Sequence, residues 1–105
     1  MAIPQDRVLS IVLRGLTSQE KLKCRVILDT IPKTRGESVQ VGRREMRMPN
    51  DGYFVFVDLI PDANWGHAVA YFLIDSETGA FERIDDQFPP FSGDPPDEFV
   101  VALER

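Results

Sequence analysis

The chain has one cysteine and one histidine in 105 residues. A lone Cys24 excludes an internal disulfide, and with only His67 beside it most structural zinc sites are excluded too. Neither a metal nor a cofactor is expected. No run approaches the roughly 20 apolar residues that a membrane span requires. The first residues, Met1 to Arg7, lack the basic region of a secretory leader, and the apolar stretch from Val8 to Leu16 is broken by Ser10, Arg14 and Gly15. The expectation is a cytoplasmic protein with no membrane partner. The seven glycines are scattered and form neither GxGxxG nor GxxxxGK, which argues against a nucleotide enzyme.

What is present is divided by charge. Residues 1–49 hold ten Lys/Arg and five Asp/Glu, whereas residues 50–105 hold two and twelve. The halves carry +5 and −10, which sum to the net −5. Such a split suits a protein that meets charged partners with more than one surface. The chain is the size of a single domain, 1–105, and its 43% apolar content suffices for one core.

Alternation carries most of the structural signal. Leu22, Cys24, Val26 and Leu28 alternate with charged residues, which predicts a half-exposed strand over 21–29. Residues 53–60 and 68–74 are aromatic and β-branched on both faces, the pattern of central strands. Asp75 to Gly79 predicts a tight turn into a return strand over 80–85. Pro49-Asn50-Asp51-Gly52 predicts another turn, following a strand within 38–48. There Val39 and Val41 are out of phase with Met46 and Met48, which predicts a bulge near Gly42. Val8 to Leu16 fits a strand or a three-turn helix, and the strand is preferred. Residues 87–97 hold four prolines and predict an extended surface arm anchored by Phe88 and Phe91. Phe99, Val101 and Leu103 predict a last strand.

The expected fold is all-β, a small antiparallel two-sheet sandwich of six or seven strands. The alternative is an α+β domain with one N-terminal helix on a four-stranded antiparallel sheet.

Candidate chemistry is sparse. Cys24 and His67 could form a nucleophile and base, as a small thiol-dependent hydrolase would need. However, Cys24 sits at an apolar strand position, where cysteine behaves as a small hydrophobe. No catalytic residue is assigned. The acidic residues Asp75, Glu77, Glu82, Asp85 and Asp86 read as a solvated face without calcium-loop spacing. Recognition material is richer. Asp62, Asn64, Trp65 and His67 share the loop 61–67, Phe88 and Phe91 mark the arm, and Arg43, Arg44 and Arg47 supply positive charge. Without interleaved aromatics, and with Glu45 among them, these arginines disfavour nucleic acid as the partner. The expected function is a non-catalytic protein–protein interaction module, an accessory subunit, inhibitor or immunity-type factor. A self-assembling structural protein, with the basic half docking on the acidic half of another copy, is the third possibility. A Trp65→Ala variant is expected to bind its partner at least about tenfold more weakly, with the fold retained. Unchanged affinity in a titration, or wholesale unfolding, would remove the loop from the binding surface.

Overall fold

Two segments with apolar side chains on both faces become the centre of a sheet. In the computed structural model, which describes residues 3–61, 66–91 and 94–104, these are β4 (Gly52–Asp58) and β5 (Val69–Asp75). They pair antiparallel along their full length, from Gly52 opposite Asp75 to Asp58 opposite Val69. Around them lie β1 (Arg25–Asp29), β6 (Phe81–Asp86) and β7 (Phe99–Glu104), in the order β6-β5-β4-β1-β7. A separate two-stranded sheet joins β2 (Ser38–Val41) to β3 (Arg44–Arg47). The chain is mostly β, with seven strands and two short α-helices among the described residues. None of those helices is long and apolar enough to cross a membrane.

Strand alternation gives each face of the large sheet its own core. Tyr53, Val55 and Val57 of β4 join Ala70, Phe72 and Ile74 of β5 on one side. Phe54 and Phe56 join Val69, Tyr71 and Leu73 on the other. The helix formed by Val8–Arg14 covers the first side, and the β2–β3 hairpin with the proline arm covers the second. Gly52 is required where β4 begins, because a Cβ there would lie 1.7 Å from the Ile74 carbonyl oxygen.

The preferred strand at the N-terminus is corrected. Residues 5–7 form a 3-10 turn, and Val8–Arg14 is a helix, α1. As a helix it buries Val8, Ile11 and Val12 together against the sheet. As a strand it would have sent Ile11 and Val12 to opposite sides. Gly15 ends the helix, with its Nα–H donating to the Val12 carbonyl.

The strand expected over 21–29 is also shortened. Ser18–Leu22 is a second helix, α2, held by a capping box. The Glu20 amide donates to Thr17 Oγ1, and the Thr17 amide donates to Glu20 Oε1. Two satisfied end groups outweigh the alternation of Lys21 and Leu22, and Leu22 is left 73% exposed.

The bulge expected near Gly42 is a turn instead. Val41 pairs with Arg44, so Gly42 and Arg43 form a two-residue hairpin loop. Gly42 takes φ +63 and Arg43 does not share the positive region, as a type II′ turn requires. The phase change between the valines and methionines marks a reversal of the chain, which brings Val39 opposite Met46. The real bulge lies in β7. There Val26 faces Leu103 but Ile27 faces Val101, which leaves Ala102 as the extra residue. Val101 is consequently 52% exposed, and the expected phase of Phe99, Val101 and Leu103 is broken. The hairpin of β5 with β6 follows the expected turn, with Gly79 at φ +77.

Arg83 of β6 ties α2 to the sheet edge. Its Nη1 and Nη2 donate to Glu20 Oε1 and Oε2 at 2.8 Å, and Nη1 also donates to the Gly15 carbonyl at 2.9 Å. This fork, despite some opposing burial, lowers the Glu20 carboxyl from 4.5 to about 2, helped by the Thr17 amide. A depressed carboxyl pKa stabilises the fold fully above its unfolded value, and that contribution disappears as pH falls from 4.5 towards 2. Glu20→Gln should therefore cost roughly 1–2 kcal/mol near pH 7, discounted for partial exposure. Urea titrations should show the difference shrinking through that acid range. A difference independent of pH would refute the assignment.

Candidate binding site at the hairpin tip and proline arm

The second face of the sheet is closed by two elements that meet over Tyr71. Its ring stacks beside Phe54, with centroids 5.8 Å apart, and lies 5.3 Å from Phe56. A phenol in so apolar a place must satisfy its hydroxyl. It accepts from the Gly42 amide at 2.9 Å and donates to the Phe88 carbonyl. Burial pushes this hydroxyl well above the ordinary phenol range, so it remains a donor. One side chain from the core thus fixes both the hairpin tip and the start of the arm.

Asp86 at the end of β6 sets the turn into the arm. Its Oδ1 accepts from the amides of Gln87 and Phe88, at 2.6 and 3.2 Å. Its carboxylate also lies where a Cβ on Gly42 would be, 2.6 Å away, so only glycine fits at that position. Arg44 Nη2 is 3.9 Å from Asp86 Oδ2, a long pair in which the arginine is exposed and the carboxylate largely buried. Arg43, beside it, lays its guanidinium over the Phe88 ring at 3.9 Å from the centroid. Among the described residues no acceptor engages that guanidinium, which leaves its N–H groups available to a ligand.

Between hairpin and arm runs a cleft of about 490 Å³, lined by Gln40, Gly42, Arg43 and the run Phe88 to Phe91. It leads into a second hollow of about 190 Å³ that shares Gln40, Pro90 and Phe91 with it. Phe91 forms the floor, edge-on to Phe56 at 5.9 Å and to Phe99 at 5.5 Å. Asp29, which is buried, and Lys33 close the far end with an ion pair of 2.8 Å.

The sequence candidates are distributed as follows. Arg43, Phe88 and Phe91 line the cleft, and Arg44 stands at its tip. Arg47 lies at the other end of β3, where Nη1 donates to the Gly36 carbonyl. His67 Nε2 is 2.8 Å from Asp58 Oδ1, and its amide donates to the Gln87 carbonyl, which pins the end of the 61–67 loop to the arm. Its imidazole is thus largely occupied. Asp62, Asn64 and Trp65 lie outside the described residues. Cys24 is fully buried on the helical side of the sheet. Asp58, which holds His67, follows Val57 and so points to the opposite face. Residue alternation therefore separates thiol and imidazole by the thickness of the sheet. Among the described residues no cluster of three or more His, Cys, Asp or Glu could hold a metal ion.

Sequence reasoning missed Tyr71 and Gln40, and it put Asp86 on a solvated face although that side chain is only 14% exposed. Tyr71 had a usable signal, since a hydroxyl inside an apolar strand demands a partner. No family model, curated protein or solved structure matches this chain.

Tyr71→Phe would keep the ring but orphan the Gly42 amide and the Phe88 carbonyl. A loss of about 1–3 kcal/mol is expected, with faster amide exchange at Gly42. Unaltered exchange there would show that the hydroxyl does not hold the hairpin.

Proposed function

We propose that this protein is a non-catalytic protein-binding module that takes its partner in the cleft between the β2–β3 tip and the proline arm. The observation that carries this reading is the guanidinium of Arg43, held over Phe88 at 3.9 Å from the ring centroid with no acceptor among the described residues. Stacking holds the group in place before a ligand arrives, so little side-chain freedom is lost on binding. A carboxylate of the partner could then accept two parallel hydrogen bonds. The prolines and Phe91 beside it offer dry, rigid surface of the kind that anchors protein interfaces. Separation of Cys24 from His67 by the sheet gives no support to the thiol hydrolase.

Comparative capture from the native cell tests the proposal. Wild-type protein should retain a stoichiometric partner, and Arg43→Glu should retain at least about tenfold less while melting normally. Equal recovery by the two proteins would refute the site. Sedimentation at low and high salt covers the remaining alternative. A salt-sensitive oligomer of this chain would identify the partner as a second copy.

A further inference from the structure

Among the described residues, the outer edge of β2 has no pairing strand where it borders this cleft. Pairing in the hairpin is fixed by Val41 opposite Arg44 and Val39 opposite Met46, and the Met48 amide donates to the Glu37 carbonyl at 2.9 Å. In an antiparallel ladder, hydrogen-bonded pairs alternate with non-bonded ones. Positions 37, 39 and 41 therefore bond to β3, whereas the amides and carbonyls of Ser38 and Gln40 point the other way. None of these four main-chain groups has a partner among the described residues. Ser38 and Gln40 line the cleft along that same edge.

The described residues of the arm line this edge without bonding to it. Pro89, Pro90 and Pro96 have no N–H to donate, so they supply an apolar wall in place of a neighbouring strand. A slot bounded by an open strand edge, a proline wall and an aromatic floor has the form used for strand addition.

We propose that an extended protein segment adds to the outer edge of β2 as a third strand, placing a carboxylate on Arg43 and an apolar side chain against Pro90 and Phe91. This rests on the binding role proposed above and deepens it. Charge sets the direction. At the tip, Arg43 has no acceptor among the described residues. At the far end, Lys33 is already matched by Asp29, and Glu98 adds negative charge to the lining. An acidic residue is thus favoured at the tip and disfavoured at the far end. The four residues of β2 present about 13 Å of edge at roughly 3.3 Å per residue, enough for a segment of about four or five residues.

The test uses a capped hexapeptide of alternating valine and glutamate, titrated into the full chain. It should bind and slow amide exchange at Ser38 and Gln40. The same peptide with every amide N-methylated should bind at least about tenfold more weakly, because it cannot pair with a strand edge. A valine–lysine version should weaken similarly. Gln40→Pro deletes a donor that the β2–β3 ladder does not use, and it should weaken binding by a similar factor. Gln40→Ala keeps that donor but loses the Nε2 bond to the Gly42 carbonyl, so it measures the side chain's own share and should weaken binding less than Gln40→Pro. Absent binding, equal binding by the N-methylated peptide, or tighter binding of oligothymidylate would each overturn strand addition. Should Gln40→Pro retain a natural partner that Arg43→Glu loses, strand addition falls while the binding role stands.

Discussion

Strands β4 and β5 are apolar on both sides, and a sheet with such a centre has to be covered twice. Leaving either face wet would expose side chains worth about 1.5–3 kcal/mol each when buried. Every other element answers that requirement. Helix α1 takes one face, packing Val8, Ile11 and Val12 against Phe72 and Ile74. The other face is taken by a hairpin drawn from the connection between two neighbouring strands, β1 and β4, together with an arm that follows β6. The two covers differ in kind. A helix satisfies its own main chain, whereas an isolated two-stranded sheet leaves hydrogen-bonding groups along its margins.

Polar chemistry collects where the second cover is incomplete. Tyr71 reaches from the middle of the core to the junction of hairpin and arm, and its single hydroxyl serves both. Asp86 turns the chain into the arm and leaves room only for glycine opposite. Arg43 and Phe88 are then held together at the surface because their main chains are fixed beneath them. The candidate site is a by-product of closing the core with irregular pieces, which is why it consists of a turn, a proline run and one strand edge.

How much of this was legible depends on how local each signal is. The central strands, the turn at Gly79 and the character of the arm follow from short windows of sequence, and the chain is β-rich as its alternation implied. Val8–Arg14 was ambiguous because its apolar residues suit either period, and only the sheet beneath it selects the helix. Thr17 and Glu20 spelled out a capping box that the stronger-looking alternation from Lys21 onward obscured. The phase change at Gly42 was visible, but a reversal and an inserted residue leave the same trace in a sequence. Within the site, Arg43, Phe88 and Phe91 stood out by residue type. The edge of β2 could not, because main-chain groups carry no letter code, and their direction follows only from the pairing register.

The charge division has a structural counterpart. The basic half of the chain includes helix α1 and the β2–β3 hairpin, which form the outer covers, and the acidic half includes most of the central sheet and the arm. Some opposite charges meet across that division, as Arg83 does with Glu20 and Arg44 with Asp86. The displaced Ala102 in β7 has its own effect at the rim of the large sheet. Val100 and Val101 are 45% and 52% exposed there, and on a flat rim such a pair would invite fibrous stacking. A rim interrupted by a bulge makes a poor template for it, so the irregularity blunts the edge at the place where its composition is most hazardous.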